Sequence, residues 1–408
     1  MMIKREKYLQ RIRPFIDKPV IKVLTGIRRS GKSTLLKQLA EELLENQIKS
    51  SQIIRINKEL MEFDSIQSYQ DLYHFVSEKT SDQELSYYLF VDEVQEISQW
   101  EKAINSFLAE GKYDIYISGS NARLLSSDLA SLLSGRYIEF PVYSFTYGEF
   151  KTIYNQKPSN EKSDDAFLDF LHFGGFPGLH HLDWNESVLR QYLESIVNTV
   201  VLKDIVMRNS IRDVNTLKHI IDFVASNCGN ITSAKKISDF SKSQQRTVSS
   251  DTVMAYLEYA MNALLIHKTR RFDIPGKRLL ETYEKYFMAD IGLSSVLIGN
   301  APETISGKLE NIVYLELVSR AYQVTIGKIR DKEIDFIATQ QNKKIYIQVT
   351  TSILGSDKTL EREYGVFDHL DNHFTKYVIS LDRGKPTVNE SGIRWMNIED
   401  FLLKDSYL

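Results

Sequence analysis

The sequence predicts an α/β protein built in three parts: a parallel five-stranded sheet with crossover helices over residues 1–155, a mainly helical section over 156–290, and a closing α/β unit over 291–408. Three observations carry this reading. Between Val20 and Phe150, short β-rich runs alternate with helical patterns, as strands joined by crossover helices do. The strand patterns then stop at the polar stretch Tyr154 to Asp165 (YNQKPSNEKSDD), which reads as a surface loop. They return after Pro302.

The five early runs are Ile21 to Thr25, Ile53 to Asn57, Tyr87 to Val91, Asp114 to Ser118 and Tyr137 to Phe140. Helical patterns fill Ala166 to about Leu265, broken at His172 to Gly178 (HFGGFPG) and at Asn227 to Asn230. Late strands are expected at Val324 to Lys328, Ile334 to Ala338, Lys344 to Thr350 and Tyr377 to Leu381. A chain of 408 residues is long enough for two or three domains, each with its own core.

Hydrophobic residues at 42% and charged residues at 26% exclude a disordered or collagen-like chain. With 51 Lys and Arg against 54 Asp and Glu, no global positive field draws the molecule to nucleic acid or anionic lipid, so any such binding needs a local patch. The lone Cys228 excludes an internal disulfide and a multi-cysteine zinc site, and fits a reducing compartment. Met1 to Phe15 is basic without an apolar signal core, and no run of about 18 apolar residues is present, so a cytoplasmic protein without a membrane partner is expected.

Gly26-Ile27-Arg28-Arg29-Ser30-Gly31-Lys32-Ser33 fits GxxxxGK[ST] between the apolar run IKVLT and the amphipathic pattern that Thr34 begins. Glycines let backbone N–H groups turn inward around phosphate oxygens, and the following helix adds its positive N-terminal dipole. Lys32 is expected on the β- and γ-phosphates of ATP or ADP, and the Ser33 hydroxyl on Mg²⁺. The run Tyr87 to Glu93 (YYLFVDE) ends in two acids: Asp92 as a magnesium-holding carboxylate and Glu93 as the residue that orients the attacking water. Asn121, after the fourth strand, is the candidate γ-phosphate sensor. Arg136, before the fifth, is a candidate to neutralise transition-state charge on a neighbouring subunit's nucleotide or, alternatively, a surface arginine. Arg28 and Arg29 lie inside the loop with no assigned task.

GIRRSGKSTLL, LFVDEVQEISQWEKAINSF, ISGSNARLL, LLSGRYIEFPVYSFTYGEF and FGGFPG together resemble the bacterial and archaeal AAA-type P-loop ATPases that carry a C-terminal domain of unknown function. The resemblance spans nearly the whole chain. It implies an ATPase core of the additional-strand class, with Gly31, Lys32, Ser33, Asp92, Glu93 and Asn121 on the matching positions.

In the middle section, Val214 to Ser226, Ser233 to Phe240 and Ser249 to Asn262 read as three helices, followed by a two-stranded wing over Leu264 to Glu281 that turns at Asp273 to Gly276; this resembles a winged helix. Lys235, Lys236, Lys242 and Arg246 precede the third helix, and Lys268, Arg270, Arg271, Lys277 and Arg278 fall on the wing, a patch suited to phosphate backbones. The third helix carries Asp251 and Glu258 and no Lys or Arg, which disfavours base readout in a major groove. A DNA-contacting module and one that packs domains together both remain open. Glu310, Asp335, Gln348 and Thr350 are similar in spacing to the PD-(D/E)xK restriction-endonuclease core, but Gln348 stands in place of an acid and Thr350 in place of the lysine. The expected role there is structural or nucleic-acid-holding, with an active nuclease as the alternative. His172, His180, His181 and His267 show no zinc spacing.

The function expected from these residues is Mg²⁺-dependent ATP hydrolysis coupled to rearrangement of the winged-helix and C-terminal units, on DNA or a protein partner. A low-turnover nucleotide-gated switch and an ATP-controlled nuclease are the alternatives.

Overall fold

The structure is a computed structural model that describes residues 3–80, 85–122, 133, 135–158, 163–280, 282–299, 304–354, 357–368, 370, 373–404, 406 and 407. The chain folds into two compact units, Met1–Tyr143 with Asn262–Leu264, and Ser144–Met261 with Leu265–Leu408. Among the described residues no helix is long and apolar enough to cross a membrane.

In the first unit, α1 (Glu6–Ile12) precedes β1 (Ile21–Thr25), α2 (Lys32–Glu45), β2 (Ile53–Asn57), α3 (Tyr69–Lys79), β3 (Tyr87–Asp92), α4 (Trp100–Glu110), β4 (Tyr113–Gly119) and β5 (Tyr137–Pro141). All five strands are parallel, in the order β2-β3-β4-β1-β5, with β4 inserted between β1 and β3. This is the P-loop NTPase fold, and the five runs legible in the sequence are its strands to within one or two residues.

A parallel sheet covered on both sides needs apolar residues on both faces. Val23, Ile54, Ile56, Leu89, Val91, Ile115 and Ile117 pack with Leu72 and Val76 of α3 and with Ile104 and Phe107 of α4. The alternate residues Leu24, Tyr88, Phe90, Tyr116 and Phe140 pack with Leu9 and Ile12 of α1 and with Leu35 and Leu39 of α2. Ser68 and Asp71 start α3 with a reciprocal capping box. The registers Thr25↔Gly119 and Asn57↔Asp92 align the carboxyl ends of the strands, so the loops that follow β1, β3 and β4 emerge on one edge.

Toward the opposite edge, Lys22 is fully buried and pairs with Asp114, which also accepts from the Tyr116 hydroxyl at 2.7 Å and the Asp17 N–H at 3.1 Å. Burial pulls the Lys22 ammonium below its ordinary range, and Asp114 opposes it.

In the second unit, α5 (Tyr147–Tyr154), α6 (Ala166–Phe173) and α7 (Glu186–Thr199), which runs into a π-helical turn at Val200–Met207, lead to α8 (Val214–Ser226), α9 (Ala234–Ser243) and α10 (Ser250–Asn262). Next come β6 (Ile266–Thr269), β7 (Arg271–Asp273), β8 (Arg278–Leu279), β9 (Lys285–Met288), α11 (Ile291–Ile298) and α12 (Ile305–Ser319). The chain closes with β10 (Gln323–Ile329), β11 (Lys332–Gln340), β12 (Lys343–Val349), α13 (Asp357–Gly365), β13 (Thr375–Ser380), β14 (Thr387–Val388), β15 (Ile393–Asn397) and α14 (Ile398–Leu403).

The β7–β8 hairpin turns where the sequence suggests a wing. Its far edge, however, pairs in parallel with β10, so it ends an eight-stranded sheet ordered β14-β15-β13-β12-β11-β10-β7-β8. β6 pairs instead with β9. The glycine-rich turn before Pro177 is held by Asp290, whose carboxylate accepts the Gly175 N–H at 2.9 Å and caps α11 through the Gly292 N–H at 2.8 Å.

Asp114→Asn leaves the Lys22 charge buried without its counter-ion, so a loss of about 3–5 kcal/mol in urea unfolding is expected. An unchanged unfolding midpoint contradicts the assignment.

Candidate nucleotide site and a buried carboxylate cluster

The phosphate loop leaves β1 at Thr25 and enters α2 at Lys32. Gly26 lies so close to the Val142 backbone that a Cβ there would run into the Val142 carbonyl oxygen. Gly31 caps α2 with a left-handed φ of 99°, a conformation that costs other residues energy. The Ser30 hydroxyl is buried and has no hydrogen-bond partner among the described residues. Lys32 Nζ curls back over the loop, donating to the carbonyls of Gly26 at 2.9 Å and Ile27 at 3.3 Å, and stands 3.7 Å from Glu93 Oε1. Burial pulls this ammonium below its ordinary range, and Glu93 and Asp92 oppose that pull.

Asp92 ends β3, and its carboxylate accepts from the Ser118 hydroxyl on the neighbouring β4. Glu93 follows in the left-handed region at φ 53°, strain for a residue with a side chain, and its N–H donates to Ser118 Oγ at 3.2 Å. Its carboxylate accepts from Gln95 Nε2 and from Ser120 Oγ at 3.0 Å. Burial pushes the Glu93 carboxyl up. Lys32, the Gln95 amide, Arg28 and Ser120 outweigh that push and leave it below the ordinary glutamate range. Ser118, Ser120 and Gln95 are site residues that the sequence reading missed.

Asn121 is buried two residues beyond the end of β4, on the same edge as Asp92 and the loop. Ser33 is exposed, Arg29 is exposed at φ 65°, and Arg28 is half-buried with Nη1 3.8 Å from Glu59 Oε1. A cleft of about 520 Å³ opens beside Ser33, Thr34 and Asp92 and extends past Lys37, Arg55 and Asn57. Arg136 is not in this group. It is exposed at the start of β5, where Ile21 at the start of β1 pairs with Tyr137, at the opposite edge of the sheet from the loop.

In the second unit, Glu310 on α12 and Asp335 on β11 do come together, around a residue the sequence reading did not select. Lys285 of β9 places Nζ 2.9 Å from Glu310 Oε2, 2.8 Å from Glu333 Oε1 and 3.2 Å from Asp335 Oδ1, and its side chain is 2% exposed. Burial and the Asp335 charge push the Glu310 carboxyl up to about 8, against the pull of Lys285. Asp335 Oδ2 accepts the Val349 N–H at 2.9 Å, and Gln348 Oε1 accepts the Asp335 N–H at 3.3 Å. The Thr350 hydroxyl donates away from the cluster, to the Ser352 carbonyl at 3.4 Å. A lysine in the otherwise apolar run KYFM was the signal for Lys285.

The helices α8, α9 and α10 lie where the sequence placed three helices. Lys235, Lys236, Lys242, Arg246, Lys268, Arg270, Lys277 and Arg278 are exposed, though Lys242 stands 3.6 Å from Asp239 and Lys268 3.4 Å from Glu284.

The fold and the loop together define a P-loop NTPase. A family model described as an AAA domain matches residues 18–151, and one described as a domain of unknown function (DUF8612) matches residues 164–304. The chain is 36% identical over 403 residues to an uncharacterized protein of Haemophilus influenzae, covering 99% of each. It is 27% identical over 398 residues to an uncharacterized protein of Methanocaldococcus jannaschii, covering 93% of this chain and 85% of that one. Among solved structures, a Walker-type ATPase of Pyrococcus abyssi is similar at 16% identity and a TM-score of 0.49, covering 73% of this chain and 96% of that chain. The chain belongs to one family with the Haemophilus influenzae protein, and its first unit carries an AAA domain.

Lys285→Met removes the one cation that three carboxylates share, and a loss of about 3–5 kcal/mol is expected in chemical denaturation. In the variant Glu310, already pushed up by burial and the Asp335 charge, loses the pull of Lys285 and titrates higher folded than unfolded, so stability should fall further as pH rises from about 6 to 9. A variant as stable as the parent at both pH values shows that the cluster does not need its lysine.

Proposed function

We propose that the first unit binds ATP and hydrolyses it in a Mg²⁺-dependent reaction, and that nucleotide state controls what the second unit engages. The observation that carries this is the pair Lys32 and Glu93: a buried ammonium folded over an anion-binding loop, facing a glutamate held ionised by its surroundings. An ionised carboxylate beside the γ-phosphate position orients and polarises a water for in-line attack, and Lys32 neutralises the charge that develops on the phosphoryl oxygens.

The backbone cradle around Gly26, the unpartnered Ser30 hydroxyl and the exposed Ser33 beside Asp92 suit a bound nucleotide with its metal. Ser33 and Asp92 would hold Mg²⁺, which supplies charge neutralisation to the β- and γ-phosphates. Asn121, next to Ser120, reads the γ-phosphate through its amide. Arg136 takes part only in trans, because its own strand carries it to the far edge of the sheet.

The second unit is read as a winged-helix-like section and a nuclease-like unit, bounded near residues 156, 290 and 408. Exposed basic residues on α9 and the β7–β8 hairpin support a phosphate-backbone contact with DNA, and the acids on α10 speak against base readout. An active nuclease is the weaker reading. Lys285 fills the space between Glu310 and Asp335, and Thr350 leaves no lysine beside an attacking water.

Lys32→Ala should abolish nucleotide binding in calorimetry. Glu93→Gln should keep binding and lose about 10²–10⁴-fold in turnover. Because Glu93 titrates below its ordinary range, turnover should not fall through this residue between about pH 8 and 5; its acid limb lies lower still. Equal turnover in Glu93→Gln and the parent removes the role of Glu93.

A further inference from the structure

The basic N-terminal segment, which the ATPase reading leaves unused, reaches the back of the phosphate loop. Arg5 is 2% exposed. Its Nη1 donates to the Ser30 carbonyl at 3.1 Å and to the Tyr143 carbonyl at 2.8 Å, and its guanidinium lies over the Tyr8 ring with Cζ 4.4 Å from the centroid. The Arg5 backbone N–H donates to Gln38 Oε1 on α2 at 3.1 Å, and Gln38 Nε2 returns a bond to the Ile3 carbonyl at 2.6 Å. Tyr8 completes the clasp: its hydroxyl accepts the Tyr143 N–H at 3.1 Å. The loop, the first turns of α2 and the end of the strand segment that leaves this unit are thus tied to one buried side chain.

The peptide between Ser30 and Gly31 is planar and trans, so its N–H points opposite to its C=O. With the Ser30 carbonyl fixed on Arg5, the Gly31 N–H is directed away from Arg5. A cationic donor on a carbonyl also polarises that amide, making its N–H a stronger donor, and a charge-assisted bond holds the orientation better than a neutral one.

We propose that Arg5 is a positioning residue for the phosphate loop: it fixes and polarises the Ser30–Gly31 amide for a polyphosphate and ties that amide to the Tyr143 backbone. Arg5 acts through the loop and touches no substrate. The inference rests on the nucleotide-binding reading, and it concerns the triphosphate part of the ligand, not the base.

The test measures binding of ATP, ADP and inorganic tripolyphosphate by calorimetry, with steady-state turnover, on the full chain and its variants. Arg5→Met is expected to weaken ATP and tripolyphosphate by about tenfold alike, raising KM with kcat changed less than about threefold, as for uniform binding lost. Arg5→Lys, which keeps a cationic donor, should recover most of that affinity. A side chain that only stabilises the fold would lower the melting temperature and the fraction of competent protein, without moving KM or the tripolyphosphate affinity.

Parental affinity in Arg5→Met overturns the proposal, and so does Arg5→Lys binding as poorly as Arg5→Met. If Arg5→Met does not fold, Arg5→Gln keeps a donor without the charge, and parental affinity in it is equally decisive. Failure of the parent chain to bind any nucleotide removes the nucleotide reading itself. A parent that binds while the Arg5 variants match it removes only the role of Arg5.

Discussion

An ammonium group taken out of water must find anionic partners or give up its proton, and in the first unit the loop and two acids oppose the cost of burying Lys32. Two loop carbonyls and the Glu93 carboxylate surround it, and Asp92 adds its field. The same interaction acts in the other direction, because the Lys32 charge is the largest influence that keeps the buried Glu93 ionised. The residues proposed to bind the anion and to orient the water therefore support each other's charge. Burial pulls each toward its neutral form and each opposes that pull on the other, across 3.7 Å and with Glu93 in the left-handed region.

Two other buried lysines show what distinguishes that arrangement from a structural one. Lys22 meets Asp114 inside the sheet, where tyrosine hydroxyls and a backbone N–H occupy the remaining acceptor positions around Asp114 and Asp17. Lys285 meets Glu310, Glu333 and Asp335 so closely that the cluster already contains its cation. Around Lys32 the loop presents an unpartnered hydroxyl, and the neighbouring Ser33 and Asp92 border an open cleft. The chemistry of the residue types is the same in all three places. What separates a reactive arrangement from a locked one is whether polar capacity is left over for something that arrives.

The sequence showed the parts whose information is local. The five strands, the glycine spacing of the loop, the adjacent acids and the three helices of the middle section all follow from periodicity or from neighbours within a few residues. The residues that escaped notice reach their places through distant pairings. Ser118 and Ser120 matter because β4 lies beside β3, an adjacency that spacing along the chain does not reveal. Lys285 sits on a strand read as lying before the last domain, and its partners are 25 and 50 residues further on. The hairpin β7–β8 was legible as a turn, but its parallel union with β10 was not, because parallel pairing carries no local turn signal. Arg136, read from the sequence as a residue for a neighbouring subunit's nucleotide or as a surface arginine, lies at the edge of its own sheet opposite the loop, a placement that only the register of β5 with β1 reveals.

The insertion of β4 between β1 and β3 also lets a single strand end bond to both acids. Ser118 joins the Asp92 carboxylate to the Glu93 backbone, Ser120 holds the Glu93 carboxylate, and Asn121 follows directly. Each of these bonds crosses from β4 to β3, and the register Thr25↔Gly119 ties the same strand end to the start of the phosphate loop. A shift of the loop on exchanging ATP for ADP would therefore strain hydrogen bonds to both acids together, since a packed parallel sheet does not let one strand end move without its neighbours. The rigid ladder makes the two acids respond as one group, which is what the proposed coupling of nucleotide state to the rest of the chain requires.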